Sequence, residues 1–225
     1  MKRISRWLVA VGLAFSIIIA LEAKAESIPQ IAPEELKLTS EPLAPGAPAI
    51  ILFRKVDRDD SQSSTVQNEF IRIKILTEEG RKYADVEIPF FKERQNISNI
   101  KGRTIRPDGS VAETKLQVFE KNLVKGKGVK YLAKTFTMPD VQVGSIIEYS
   151  YTLTLAENSL FDSHWILSDD LFTKRAQFSL KAYTSPYAHF VLHWSWNTLP
   201  EGTGPPKAGP DNIIRMEAWN IPARR

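Results

Sequence analysis

Cysteine is absent from this chain, and histidine occurs only 3 times in 225 residues. Without cysteine there is no disulfide, no thiol nucleophile and no thiolate-held metal, so burial and strand pairing must supply the stability. Long apolar runs are missing beyond the N-terminal segment, and no helical period persists for more than a couple of turns. Strong basicity is missing as well. The formal charge is +4, but Lys2, Arg3, Arg6 and Lys24 against Glu22 carry most of that excess, and the rest of the chain is close to neutral. A near-neutral body lacks the clustered Lys and Arg that neutralise a phosphate backbone, so nucleic acid is not an expected partner.

What is present begins with a leader. Lys2, Arg3 and Arg6 form a basic start, Trp7 to Leu21 is an apolar run broken by Gly12 and Ser16, and Ala23-Lys24-Ala25 is a small-x-small cleavage site. Residues 1–25 are therefore expected to be a signal peptide cleaved after Ala25, which places the protein in the periplasm or outside the cell. An apolar run of about 15 residues falls short of the roughly 20 that span a bilayer, so membrane contact is expected only through an uncleaved leader. Residues 26–48 hold Pro29, Pro33, Pro42, Pro45 and Pro48 without an apolar period. They read as an extended, semi-flexible linker in which only Pro33 to Leu38 suits a helical turn.

From Ala49 onward the pattern has period two. Ile50 to Val56 is a first strand, closed by an acidic turn at Asp57 to Asp60. Ile71, Ile73 and Ile75 alternate with Arg72 and Lys74. After Glu78-Glu79-Gly80 the sequence resumes at Ala84, Val86 and Ile88, which predicts a hairpin. Ile97 to Arg106, Pro107-Asp108-Gly109-Ser110 and Val111 predict a second one. The clearest strand sets Ile147, Tyr149, Tyr151, Leu153 and Leu155 on a dry face against Glu148, Ser150, Thr152 and Thr154 on a wet one. Ala176, Phe178 and Leu180 oppose Arg175, Gln177 and Ser179 in the same way, and further strands are expected at His189 to Trp196 and Ile213 to Trp219. The fold class expected for residues 49–222 is an all-β antiparallel β-sandwich.

The strings ILTEEGRKYADVEIPF (Ile75 to Phe90), IKGRTIRPDGSV (Ile100 to Val111) and VKGKGVKYLAKTFTMPDVQVGSIIEYSY (Val124 to Tyr151), with Trp165 to Phe172, carry a family likeness. The chain resembles the bacterial domain of unknown function 3857, a module that commonly precedes a transglutaminase-like cysteine core. The resemblance implies an all-β, sandwich-like fold and an accessory role. The core's Cys-His-Asp triad has no position here onto which it can be carried.

Several constellations are candidate sites. Lys121, Lys125, Lys127 and Lys130, with Gly126 and Gly128, lack the spacing of a phosphate-binding loop and read as a solvated loop able to contact anionic partners. This is the first choice for a binding surface. Asp162, His164, Asp169 and Asp170 flank Trp165 and form the one acid–base cluster, without a nucleophile motif beside it. His189 and His193 share a strand, which sets them roughly 13 Å apart and prevents them from sharing a metal. Trp165, Trp194, Trp196 and Trp219 suit core packing better than a sugar-stacking strip. The expectation is a non-catalytic interaction or scaffold module without cofactor or metal. Its partner would be a protein, a cell-envelope glycan or a transglutaminase-like domain. The alternatives are a carbohydrate-binding module and, behind it, a hydrolase using the Asp/His cluster.

Overall fold

The computed structural model describes residues 28–113, 115–126, 129–155, 164–183 and 195–224. The leader, Lys127, Asp162, His189, His193 and Trp194 lie outside these residues.

The strands are β1 (Ala49–Asp59), β2 (Thr65–Ile75), β3 (Asp85–Phe91), β4 (Gln95–Ile105), β5 (Val111–Glu113), β6 (Phe119–Gly126), β7 (Val129–Thr137), β8 (Ile146–Leu155), β9 (Thr173–Lys181), β10 (Lys207–Ala208) and β11 (Ile213–Ile221). They form one sheet of 8 strands, in the order β10-β11-β9-β1-β2-β8-β4-β5, and one of 3, in the order β3-β7-β6. The fold is all-β. It is not wholly antiparallel, because β1 and β9 run parallel and make the large sheet mixed.

The two sheets meet over one apolar core. Ile71, Ile73 and Ile75 of β2 and Ile147 of β8 face Val86, Ile88 and Phe90 of β3 and Leu132 and Phe136 of β7. Each set follows the strand period of two, so each strand buries alternate residues. The small sheet covers only part of this face. Val56, Ala176, Phe178, Met216 and Ala218 continue it and are packed by Trp165, Leu167 and Leu199 instead.

The opposite face of the large sheet is covered by the proline-rich segment. Residues 28–48 contain only a short helix, α1 (Pro33–Lys37), yet they are docked and do not hang free as the linker expectation had it. Ile31, Leu36, Leu38, Ala44 and Ala47 pack on Ile50, Leu52, Ile105, Ile146 and Phe172. Two buried cations fix the docking: Arg72 Nη2 donates to the Pro29 carbonyl (2.6 Å), and Lys74 Nζ donates to the carbonyls of Leu36 (2.7 Å) and Gly144 (2.6 Å). Prolines remove donors but leave carbonyls, and an irregular segment offers those carbonyls to buried cations.

Three further expectations are corrected. Ile71–Ile75 and Ala84–Ile88 do not form a hairpin: β2 lies between β1 and β8, and a 3-10 helix (Glu79–Ala84) carries the chain across to β3 in the other sheet. Period two marks a strand and not its partner. Asp57 to Asp60 is no turn, since β1 runs through Asp59, and Asp60 is buried where it accepts from Arg58 Nε (2.8 Å) and Thr65 Oγ1 (2.8 Å). Glu148 lies on the strand face expected to be wet, yet it is buried between Arg72 Nε (2.7 Å) and Arg103 Nε (2.6 Å). The hairpin through Pro107 to Ser110 does form, with Ile105 opposite Val111 and Gly109 at φ +84°.

Two substitutions test this packing. Glu148→Ala leaves Arg72 buried beside a missing partner and should cost about 3 to 5 kcal/mol in urea unfolding, whereas the double change Arg72→Met/Glu148→Leu should cost clearly less than the sum of the single ones. At Gly80 an added Cβ would sit 2.0 Å from the backbone oxygen of Pro48. That oxygen accepts from the amides of Leu76 and Thr77, so it cannot move freely. Gly80→Ala should therefore lower stability by about 2 kcal/mol or more, read as a drop in Tm.

Candidate functional site

The Lys121–Lys130 segment is a hairpin of paired strands and not a loop. Lys121 opposes Ala133, and Lys125 opposes Lys130 across β6 and β7. Gly126, expected to break the structure, closes β6. Lys121 and Lys130 each have a carboxylate neighbour. Lys121 Nζ donates to Glu87 (2.9 Å), Lys130 lies 4.0 Å from Glu93, and Glu120 receives both Lys134 (2.7 Å) and Lys92 (3.5 Å). The hydrogen bond from Lys134 is the main reason why the Glu120 carboxyl sits below the usual carboxylate range.

Among these ion pairs lies an exposed apolar surface that the sequence reading missed. By register, Phe91 of β3, Tyr131 of β7 and Val124 of β6 share one row across the outward face of the small sheet. The Phe91 and Tyr131 rings stack with centroids 4.8 Å apart. Phe119 is 61% exposed, Val124 57% and Phe91 45%. Beside them, a cavity of about 600 Å³ is lined by Asp85, Glu87, Lys115, Phe119, Lys121 and Thr135, among others. The sequence carried no signal for this surface, because nothing local says that no further layer covers it.

Of the acid–base candidates, Asp169 and Asp170 point to different partners. Asp169 turns inward to within 3.7 Å of Arg54, while Asp170 turns outward to Arg224 (3.2 Å), and His164 is exposed. The Asp169 carbonyl accepts the Arg224 amide (2.7 Å), which ties the chain end to this segment. Asp169 and Arg54 belong to a polar cluster with Glu69, at 3.5 Å from Arg54, and with Tyr149 and Tyr151. Parts of both tyrosine rings reach the surface, but their hydroxyls are enclosed by protein. Burial pushes the Tyr149 hydroxyl well above its ordinary value, and the carboxylates of Asp169 and Glu69 add to the effect. Tyr151 is raised in the same way by burial and by Glu69. A phenol held this firmly neutral is a structural hydrogen-bonding group and not a base.

Of the tryptophans, Trp165 is in the core, 5.4 Å from the Phe178 ring. Trp196 and Trp219 are exposed, against the packing expectation, and the face of Trp219 is taken by Arg175 at 5.0 Å. Asp57 accepts from Ser179, Asp59 from Ser61 and Asp60 from Arg58, so these carboxylates already have protein partners. Among the described residues no group of three or more His, Asp or Glu is placed to hold a metal, and no helix is long and apolar enough to cross a membrane.

Fold and surface together define an all-β module of two unequal sheets with an uncovered apolar face. The chain belongs to DUF3857, a domain of unknown function with a solved structure, whose match covers residues 59–225. No curated protein matches it. Among solved structures, a Parabacteroides distasonis protein described as a putative protease superposes with a TM-score of 0.60 at 16% identity, over 79% of this chain and 36% of that one. Two structures of the yeast leukotriene A4 hydrolase, one with bestatin, give TM-scores of 0.39 and 0.41 at 11% and 12% identity, over 76% and 84% of this chain and 26% and 31% of those. This chain thus spans about a third of the length of the structures it matches, and what it shares with the first is the fold.

The tyrosines make a prediction about pH. Above about pH 10 the unfolded chain releases their protons while the folded chain retains them, so stability is full below that pH and falls as pH rises through it. Lys74 acts in the opposite sense, because burial lowers its pKa when folded. The difference between wild type and Tyr149→Phe isolates the tyrosine. In urea unfolding above pH 10, the variant should lose about 1.4 kcal/mol less per pH unit.

Proposed function

We propose that this chain is a non-catalytic, exported interaction module that docks a partner protein on the outward face of its small sheet. The observation that carries this reading is the exposed row of Phe91, Tyr131 and Val124, with Phe119 beside it and the Lys121–Glu87 pair on the same face. An apolar centre with a charged rim is the anatomy of a protein interface, and aromatic residues are its usual anchors. The recurrence of the fold as about a third of a longer chain described as a protease supports an accessory role beside a catalytic unit, of which a transglutaminase-like core is one form. A glycan-binding role has the exposed Trp196 and Trp219 in its favour, but Arg175 already occupies a ring face of Trp219. A hydrolase would need Asp169 and Asp170 in one cleft, and they turn to Arg54 and Arg224 instead.

The test is site-specific photocrosslinking in the producing cell. A benzoylphenylalanine at position 131 should capture one discrete envelope protein. One at position 217, on β11, should not. Phe119→Glu with Tyr131→Glu should reduce co-purification of the captured protein at least tenfold while leaving Tm within a few degrees of wild type. Equal capture at both positions, or undiminished co-purification, would refute the reading.

A further inference from the structure

A second surface, on the other face of the large sheet, carries a different chemistry. Over β4 and β8 lies a cavity of about 850 Å³, between Ile28-Pro29-Gln30 on one bank and Lys115-Leu116 on the other. Its floor includes Phe70, Lys101, Arg103, Glu148 and Ser150. Ile28, Phe70, Lys101 and Ser150 also line a neighbouring cavity of about 500 Å³, whose further lining includes Lys55, Asp57 and Glu69.

The charge there is unbalanced. Arg72, Lys101, Arg103 and Lys115 line the larger cavity against the single carboxylate of Glu148. Glu148 is already bound by both arginines, and Glu35 takes a further Arg72 nitrogen at 3.4 Å. Lys101 and Lys115 are exposed and have no ion-pair partner among the described residues. This contrasts with the hairpin lysines, where Lys121, Lys130 and Lys134 each face a glutamate. The lining is also partly apolar, through Phe70 on the groove face and Ile28 on the bank, which is 46% exposed, whereas Ile100 and Leu116 pack on the core between the sheets.

We propose that this groove binds an extended acidic polypeptide segment bearing apolar side chains between its carboxylates. A purely anionic polymer would leave Ile28 and Phe70 against water, and a purely apolar ligand would strand Lys101 and Lys115 without counter-charge. An extended peptide places same-side side chains about 6.6 Å apart and so supplies both chemistries along one line. The floor also offers backbone. The β4–β8 ladder passes from Ser98 opposite Thr152 to Lys101 opposite Ser150, so Asn99 and Ile100 bulge out of the pairing, with Asn99 at φ 52°. A bulge frees backbone groups that a bound strand can use. This site shares Lys115 and Leu116 with the cavity beside the small sheet, whereas Lys101 belongs to the large-sheet side alone, and its single variant tests this site independently.

The experiment is fluorescence polarisation on the intact chain with a labelled decapeptide in which Glu and Leu take turns at every second position, separated by Ser, so that both fall on one side of the extended strand. Its comparators are the peptide with Lys in place of Glu, polygalacturonate as an anionic glycan, and anionic lipid vesicles. The Glu/Leu peptide should bind saturably. Lys101→Glu/Lys115→Glu should weaken binding at least tenfold and Lys101→Gln should weaken it a few-fold. Lys207→Glu, on the far edge strand β10, changes net charge alone and should bind like wild type. Raising salt should weaken the interaction progressively. Absence of saturable binding, equal loss in Lys207→Glu, no loss in the double reversal, or preference for polygalacturonate or vesicles over the peptide would each overturn the proposal.

Discussion

One row of side chains across the large sheet holds its outward face together. Register places Trp219 opposite Arg175, and Arg54 opposite Ala176 sets Phe53 beside Arg175. Phe53 in turn faces Arg72, Arg72 faces Glu148, and Glu148 faces Arg103. The Arg175 guanidinium sits between the rings of Phe53 (5.4 Å) and Trp219 (5.0 Å), and Arg72 lies 5.9 Å from Phe70. Buried charge is tolerated only where each ion is paired or hydrogen-bonded, and here the partners come from neighbouring strands in sequence across the sheet. Shifting any central strand by one residue would turn its member of the row to the other face and strand the rest.

The same row explains why the proline-rich segment is part of the fold. Arg72 and Lys74 have more donors than the sheet can satisfy, and the surplus goes to the carbonyls of Pro29 and Leu36 and to Glu35. Once that segment is in place, β1 is covered on both faces. Ile50, Ile51, Leu52 and Phe53 are then buried consecutively, with a bulge between Ile51 and Phe53 that restores the alternation. A run of apolar residues without a wet side is what a two-sided strand requires.

Much of the architecture was legible because burial alternates along single strands. The dry side of β8, at Ile147, Tyr149, Tyr151 and Leu153, and the turn at Pro107 to Ser110 are both found as read from the sequence. What alternation cannot carry is partnership. It did not say that β2 and β3 belong to different sheets, that β9 lies parallel to β1, or that Glu148 on a nominally wet side faces two arginines. Each depends on residues dozens of positions away. A docked irregular segment is equally hidden, since its contacts are backbone carbonyls that every sequence has.

The candidate surfaces show the same limit in electrostatic terms. Density of lysine along the chain singled out Lys121 to Lys130, but the fold brings Glu87 to Lys121 and Glu93 to within 4.0 Å of Lys130. Lys101 and Lys115 are unremarkable in sequence and meet in one groove only because the chain returns past β4 after β5. A ligand responds to the charge left after pairing, because a lysine already bonded to a glutamate must lose that partner before it gains another. The small sheet therefore offers mainly apolar contact with a neutralised rim, and the large sheet offers uncompensated positive charge beside apolar floor. Lys115 and Leu116 line the cavities on both, so the short segment after β5 is the wall that separates the two chemistries.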